Sequence, residues 1–169
     1  YEPLIRRTAG LGKPPREFKS KSIHLHHNVD IVIVGGGLSG LLAAKKLAGT
    51  KYDVLLIERE DSLGGILKNT KKIGSINDQN PSEWIEKTER LIENSSNIKI
   101  LKNTLVTTYN YSDHLIAVED KSVGKPQDIE KPELVLHKIR TKQTILASGH
   151  IERFISFRNN DLPGVMLAA

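Results

Sequence analysis

The chain has 169 residues, 38% of them hydrophobic and 27% charged, and this length and composition suit one globular domain rather than two. The absence of cysteine excludes disulfides, thiolate metal sites and thiol nucleophiles, and with them a thiol–disulfide reductase. Dispersed basic residues with few aromatic neighbours carry the net charge of +5, which disfavours nucleic-acid binding and favours a solvated surface or one that faces an acidic partner subunit.

The first 28 residues contain glycine, proline and basic residues without a sustained period, which predicts an extended arm. His24, His26 and His27 lie at its end, where imidazoles could bind a metal. No carboxylate or cysteine accompanies them at a suitable spacing, so a polar linker is favoured. Because the sequence starts at Tyr1 rather than Met, we expect a processed product or a piece of a longer protein.

The sequence also contains no run approaching the roughly 18 apolar residues of a membrane helix. Its N-terminus lacks the order of charged, apolar and small residues that marks a signal peptide. We therefore expect a cytoplasmic protein that contacts no membrane.

A strand–helix–strand unit is predicted from residue 31 onward. Residues 31–34 are a continuous apolar, β-branched run, typical of a parallel strand buried on both faces. Residues 38–48 have the pattern of a helix, with Leu41 and Leu42 among the side chains expected to pack on the sheet and Gly49 as the stop. Residues 54–57 are a second apolar strand, which completes a βαβ unit.

A covering helix is predicted after a loop at residues 61–80. Asn80 suits the N-cap, Pro81 the first helical position, and Glu83 the positive end of the helix dipole. Trp84 lies on the apolar face of this helix, where packing is favoured over substrate contact.

From about residue 98 to 140 the pattern becomes β-like and predicts an antiparallel β-meander. Its short runs are separated by turn residues, and the charged residues 119–133 predict a loop between two of the strands. A further apolar strand is predicted at residues 144–147. His114 and His137 are expected to be ordinary strand residues.

A glycine-rich turn joins the first strand to the first helix and satisfies the pattern G-x-G-x-x-G. Its residues are Gly35, Gly36, Gly37, Leu38, Ser39 and Gly40. We expect Gly35 to permit the tight turn, Gly37 to let backbone approach a pyrophosphate, and Gly40 to let the helix pack closely on the strand. The helix N-terminus would offer N–H groups and a positive dipole to the phosphates. A glycine turn without a ligand is the competing interpretation.

Glu58 ends the second strand 18 residues after Gly40, where such domains carry the acidic residue that binds a ribose 2′-hydroxyl. Its carboxylate would repel a 2′-phosphate, so FAD or NAD is favoured over NADP. Arg59 could tolerate such a phosphate and weakens this argument. The residues do not decide between FAD and NAD, because both carry the same adenosine ribose.

Gly64 and Gly65, with the strand end Ala147-Ser148-Gly149, resemble the first nucleotide domain of the glutathione-reductase-like two-dinucleotide flavoproteins. In that group, a glutamate followed by a Gly-Gly turn and an Ala-Thr-Gly strand end both face the nucleotide. The resemblance implies that these five residues lie at the cofactor, and Ser148 keeps the hydroxyl of the usual threonine.

Three further stretches resemble the α subunits of heterotetrameric sarcosine oxidase, dye-linked proline dehydrogenase and hydrogen cyanide synthase. They are residues 2–12, 148–153 and 159–168. Phe154 stands where that family usually has proline. The relatives continue into a second half of the nucleotide domain, so the resemblance implies a fragment, a split-gene product or a subunit completed by another chain.

Residues and resemblance together predict an α/β fold, a truncated Rossmann-like FAD/NAD(P)-binding domain with a parallel sheet, helices and a β-meander. The expected organisation is an arm at 1–28, the domain at 29–153 with the meander near 98–140, and a tail at 154–169 leading to the second half.

The resemblance implies a dinucleotide-binding subunit of a sarcosine oxidase-like, amine-oxidising oxidoreductase that acts on CH–NH. In that family a flavin on the partner β subunit oxidises the amine by taking hydride from the carbon next to nitrogen. We expect NAD or FAD as cofactor, no metal, a hetero-oligomer, and no turnover by this chain alone. A generic FAD- or NAD-dependent reductase and a non-catalytic assembly subunit with a structural nucleotide remain as alternatives.

No catalytic acid, base or nucleophile can be assigned from this sequence. His150, Glu152 and Arg153 follow the last strand close to the expected nucleotide. Contact with the pyrophosphate and a structural salt bridge are equally compatible with them.

Overall fold

The computed structural model of the chain describes residues 8, 23–68, 75–76, 78–111, 113–121, 134–150 and 156–163. From residue 23 onward, the described residues form six strands, two α-helices and one 3₁₀ turn. In chain order they are β1 (Ile23–Val34), α1 (Leu38–Leu47), β2 (Val54–Ile57), the 3₁₀ turn (Gly65–Lys68), α2 (Pro81–Glu93), β3 (Ile98–Leu101), β4 (Thr104–Asn110), β5 (His114–Asp120) and β6 (Leu134–Leu146). Neither α-helix is long and apolar enough to cross a membrane.

The six strands form one mixed sheet in the order β3-β2-β1-β6-β5-β4. Strands β3, β2, β1 and β6 are parallel, whereas β6, β5 and β4 pair antiparallel as a meander. The predicted α/β, Rossmann-like class is confirmed. The predicted start of the meander is wrong, because β3 pairs in parallel with β2 over its whole length.

Strand β1 begins at Ile23, so the predicted end of the arm at residue 28 is wrong. Residues 23–29 pair in parallel with residues 135–141 of β6. Ile23, Leu25 and Val29 alternate with polar residues, the pattern of a strand with one covered face. The local pattern does not predict this strand, because three histidines interrupt the alternation and the partner strand lies more than 100 positions away along the chain.

Strand β6 is also longer than predicted. One continuous strand covers residues 134–146, where two short strands were expected at 134–139 and 144–147. The polar residues between those runs stay in the sheet because Arg140 has partners on both sides, Asn28 of β1 and His114 of β5. Two neighbouring strands therefore hold in place a segment that by itself resembles a loop.

The hydrogen bonding of β1 is irregular at Asp30. The backbone N–H groups of Asp30 and Ile31 both donate to the carbonyl oxygen of Asp53, each at 3.0 Å. The alternation of side chains along β1 is interrupted at this point, although the register with β6 is the same on both sides of it. Consequently Val29 and Val32 face the same side of the sheet, while Ile31 packs on the opposite side.

Two hydrophobic cores lie on the two sides of the sheet. The helix-side core packs Leu41 of α1 and Trp84 of α2 against Ile33 and Leu56 of the parallel strands. The inner core contains Val32, Leu55, Ile57, Leu101, Leu115, Ala117 and Ile139. Strands β3 and β4 occupy opposite edges of the sheet, yet only Lys102 and Asn103 join them, so the sheet curls around the inner core.

Helix α1 buries Leu41 and Ala44, but Leu42 is 40% exposed, so its predicted packing on the sheet is wrong. Each helical residue turns by about 100°, which carries the side chain after Leu41 away from the sheet. The start of α2 is as predicted, because the side chain of Asn80 accepts the backbone N–H of Ser82 at 2.9 Å and Pro81 follows.

Several predicted segments fall outside the described residues. They include residues 2–7 and 9–12 of the arm, 122–133 of the charged loop, 151–155, with Glu152, Arg153 and Phe154, and 164–168 of the tail.

Candidate functional site

The candidate site lies where three neighbouring parallel strands end. The turn after β1 carries Gly35 to Gly40, Glu58 follows β2, and Ala147 to Gly149 follow β6. Because β1 lies between β2 and β6, these three segments meet at one edge of the sheet. The carboxyl edge of a parallel sheet is where α/β proteins bind their ligands.

Gly35 makes the tight turn out of β1, as predicted. Its φ is +104°, and its N–H donates to the carbonyl oxygen of Ile57 at 2.8 Å. A Cβ atom at this position would lie 2.3 Å from the carbonyl oxygen of Ala147. The turn is held on that side as well, because the N–H of Ala147 donates to the carbonyl oxygen of Val34 at 2.8 Å.

Gly40 lets α1 start against this turn. A Cβ atom at Gly40 would lie 1.8 Å from the carbonyl oxygen of Gly35 and 3.5 Å from Cγ2 of Ile33. Ile33 belongs to the end of β1, and Gly35 directly follows that strand. The close helix–strand approach predicted for this glycine is therefore present.

Gly37 is the N-cap of α1 and faces open space. A Cβ atom there would meet nothing within 4 Å, and a glycine cap has no side chain to accept a hydrogen bond. The N–H groups of Leu38, Ser39 and Gly40 lie in the first helical turn, where helix geometry provides no intrahelical acceptor. With no acidic residue in that turn, the positive end of the helix dipole is available to an anion.

The carboxylate of Glu58 is fixed beside this helix end. It is buried, its Oε2 accepts the N–H of Gly36 at 2.6 Å, and its Oε1 accepts the N–H of Glu60 at 2.9 Å. Each carboxylate oxygen retains a further acceptor site. The carboxylate is thus oriented by backbone groups and can still accept hydroxyl donors.

Gly36 has a role that the sequence did not reveal. A Cβ atom there would lie 2.5 Å from Cδ2 of Leu63 and 3.0 Å from Oε2 of Glu58. The absence of a side chain lets the backbone of the turn reach the carboxylate. The run of three glycines was the only signal, since the pattern leaves the second position unspecified.

Gly64 and Gly65 join the same cluster. The N–H of Gly64 donates to the carbonyl oxygen of Gly36 at 2.8 Å, and a Cβ atom at Gly65 would lie 3.2 Å from the Cα of Gly37. Both residues have positive φ, +113° and +53°. The structure thus places the Gly-Gly turn directly against the glycine motif.

Arg59 and the exit from β6 are the exposed parts of the site. The Arg59 side chain is 67% exposed and pairs with Glu60, with 2.9 Å between Nη2 and Oε1. Ser148, Gly149 and His150 are also exposed, and Gly149 has a φ of +72°.

A second polar cluster lies away from this edge, on the inner face of the curled sheet. Nε2 of His27 lies 2.8 Å from Nδ1 of His137, and Nε2 of His137 lies 3.0 Å from Oε2 of Glu119. Burial, followed by the nearby Lys99 ammonium and two neighbouring imidazoles, lowers the pKa of His27 below its ordinary value of 6.5. His137 is 1% exposed, so the chain of hydrogen bonds is largely shielded from water.

This cluster corrects the interpretation of residues 24–27 as a polar linker, because His27 lies in a strand and contacts another element. Within the described residues, no group of three or more histidine, aspartate or glutamate side chains is placed to hold a metal ion.

Comparison with known proteins agrees with this geometry. A family model described as an NAD(P)-binding Rossmann-like domain matches residues 33–90, which include the glycine motif, Glu58 and the Gly-Gly turn. Sarcosine oxidase subunit alpha of Corynebacterium sp. (strain P-1) is 32% identical over 148 residues, which are 86% of this chain and 15% of the relative. The same subunit of Corynebacterium sp. (strain U-96) is 31% identical over 165 residues, 95% of this chain and 17% of the relative.

Among solved structures, L-proline dehydrogenase from P. horikoshii has a TM-score of 0.56 and 25% identity, over 83% of this chain and 26% of that one. The chain spans only 15–17% of the length of the two sarcosine oxidase subunits. The chain therefore has a Rossmann-like fold in which residues 33–90 match the NAD(P)-binding family model, and over most of its length it is similar to one segment of the sarcosine oxidase α subunits.

Proposed function

We propose that the edge formed by Gly35–Gly40, Glu58, Arg59, Gly64–Gly65 and Ala147–Gly149 binds the ADP part of FAD or NAD. The observation that carries this proposal is the Glu58 carboxylate, buried and fixed by the N–H of Gly36 at 2.6 Å beside the open N-terminus of α1. The helix end would hold the pyrophosphate, and Glu58 would accept the adenosine ribose hydroxyls. One short turn therefore sets the distance between the N-terminus of α1 and the Glu58 carboxylate.

The same carboxylate argues against NADP. A ribose 2′-phosphate would bring negative charge against a carboxylate that the fold holds in place, and like charges at short range repel strongly in a partly buried site. Arg59, the nearest cation in sequence, is paired with Glu60. We therefore expect a nucleotide with a free 2′-hydroxyl.

For the whole protein, we propose the dinucleotide-binding part of a sarcosine oxidase-like oxidoreductase that acts on the CH–NH group of an amine. The support is 31–32% identity to sarcosine oxidase α subunits across 86–95% of this chain. Because those relatives are named as subunits, we propose a hetero-oligomer with a flavin-bearing partner, located in the cytoplasm. When bound, the dinucleotide supplies hydride-transfer capacity, while this chain binds and orients it.

The proposal is tested by titrating the purified chain with FAD, NAD and NADP by calorimetry and recording its absorption spectrum. Glu58→Ala should weaken binding of the favoured dinucleotide by roughly 10- to 100-fold, the range for losing hydrogen bonds to a charged group. Glu86→Ala, on the surface of α2, is the matched control and should leave binding unchanged.

Equal affinity in Glu58→Ala and the parent chain would contradict the proposal. Reduction of a dye by NADH with this chain alone would instead favour the generic reductase. Nucleotide binding without any effect on the amine oxidation of a reconstituted complex would favour the structural subunit.

A further inference from the structure

A groove with cationic walls lies on the outer face of the β-meander, the face opposite the inner core. The groove is lined by His26, His27, Asn28, His114, Lys138 and Arg140, and we name it the cationic groove. In the sheet His26 is the partner of Lys138, and Arg140 is the partner of both Asn28 and His114. Partners in adjacent strands point to the same face, so three strands contribute to one surface.

The groove has a volume of about 420 Å³, and no acidic residue lines it. Lys138 and Arg140 are exposed, and neither has a carboxylate partner among the described residues. By contrast, Lys142 two positions further along β6 pairs with Asp30 at 2.6 Å. Lys138 and Arg140 lie two positions apart on the same face of one strand, where their charges repel each other. A bound anionic group would offset this repulsion.

The cationic groove is separate from the proposed nucleotide edge. His26 precedes the end of β1 at Val34 by eight residues, roughly 26 Å at 3.3 Å per residue. A dinucleotide held at Glu58 would therefore leave the groove open.

The spacing of the cations favours an extended peptide as the occupant. Lys138 and Arg140 are two residues apart on one strand, roughly 6.6 Å, which is also the spacing of alternate side chains in an extended chain. Ile116 lies beside Lys138 on β5, and beyond this pair the same face continues with Val118 and Leu136. All three apolar side chains are only partly buried. The face is thus cationic at one end and apolar at the other.

We propose that this face docks an extended acidic segment of a partner protein, with carboxylates at alternate positions against Lys138 and Arg140 and apolar residues against Ile116 and Val118. Charge complementarity supplies orientation and association rate, and apolar contact supplies affinity. This surface is independent of the proposed nucleotide site, so either proposal can fail without the other.

The test measures binding of a labelled twelve-residue peptide to the full chain by fluorescence anisotropy. The first six residues of the peptide alternate Glu and Thr, and the last six alternate Val and Thr. The same peptide with Gln in place of Glu is the uncharged control. The acidic peptide should bind and the glutamine peptide should not, and the affinity should fall as salt is added. Lys138→Glu with Arg140→Glu should weaken binding roughly tenfold or more, because two attractions become repulsions.

The matched control is Lys46→Glu with Lys87→Glu, which reverses two exposed charges on the helices. Thermal unfolding verifies that each variant is folded, and Lys138→Gln with Arg140→Gln gives a milder change should the reversal unfold the chain. Equal binding of both peptides, or equal losses in the groove and helix variants, would overturn the proposal. Tighter binding of inorganic phosphate or of a single-stranded oligonucleotide at the groove would also overturn it.

Discussion

The proposed nucleotide-binding edge depends mainly on backbone groups, whereas the polar features of the β-meander depend on side chains. At the edge, backbone groups make the site: N–H groups of Gly36 and Glu60 hold Glu58, and glycines allow three segments to approach each other. In the meander, side chains make the polar features, namely the chain from His27 to Glu119 and the cationic groove.

Because of this difference, the two regions should respond differently to substitutions and to changes in pH and salt. The edge depends on the absence of Cβ atoms next to backbone atoms that have no room to move, so small additions should be costly there. The meander depends on charge and protonation, so its properties should change with pH and salt.

The largest effect is expected for Gly40→Ala. Its Cβ atom would lie 1.8 Å from the carbonyl oxygen of Gly35, which cannot shift without opening the turn. We expect a loss on the order of 3 kcal/mol or more in the free energy of unfolding, measured by urea denaturation. Gly49→Ala is the control, since its Cβ atom would meet nothing within 4 Å and only its φ of +72° is unfavourable. That conformation costs an L-residue about 1–2 kcal/mol. Equal losses in the two variants would remove the steric argument.

Gly37→Ala should weaken dinucleotide binding while leaving the stability of the fold nearly unchanged. In the free protein its Cβ atom has open space and its φ of −74° is ordinary, so unfolding should change by less than about 1 kcal/mol. The added methyl group would occupy the space through which a pyrophosphate approaches the helix end, and dinucleotide affinity should fall severalfold in calorimetry. Unchanged affinity would mean that the nucleotide does not approach over Gly37.

The pH dependence of stability should depend on the meander. The pKa of His27 is lowered in the folded chain by its burial, by Lys99 of β3, and by His137 of β6 and His26 on its own strand. The unfolded chain therefore binds this proton more tightly, and stability should be full above the ordinary pKa of 6.5 and fall as the pH drops below it.

Urea midpoints at pH 7.5 and 5.5 would measure this fall. His27→Gln should reduce it, whereas His24→Gln, an exposed position on the other face, should not. The same acid sensitivity in both variants would show that groups other than His27 cause it.

The smallest effect is expected at the exposed pair of Asp30 and Lys142. The hydrogen bond from Lys142 is the main reason that the pKa of Asp30 lies below its ordinary value of 3.8. In Lys142→Gln this pKa should rise toward that value in an NMR titration, with little change in overall stability because both partners reach solvent. An unchanged pKa would assign the shift to the backbone N–H of Asp53, which also donates to Asp30.

Local patterns predicted those parts of the fold whose partners are close in sequence. The glycine motif, the following helix and the strand ending at Glu58 form one βαβ unit, and Asn80 with Pro81 marked the start of α2. These elements are set by glycine geometry, capping and apolar periodicity over short distances.

The sequence-based predictions were wrong where pairing between strands decided the structure. Residues 23–28 and 140–143 are polar enough to resemble linkers, yet both belong to strands. Residues 23–28 of β1 pair with residues 135–140 of β6, and residues 140–143 of β6 pair with residues 28–31 of β1. Residues 98–101 have the same alternation in a parallel or an antiparallel sheet, and only their contact with β2 makes them parallel.

The sequence by itself determined the residue types of the site, because they follow from local features. These features are a glycine turn that precedes a helix and a glutamate at the end of the next strand. Tertiary structure alone decided that Gly36 holds the Glu58 carboxylate, that His27 and His137 share a hydrogen bond, and that basic residues of three strands line one groove. The reason is physical: these contacts join residues 22 to 110 positions apart, and strand register, which no local pattern encodes, brings them together.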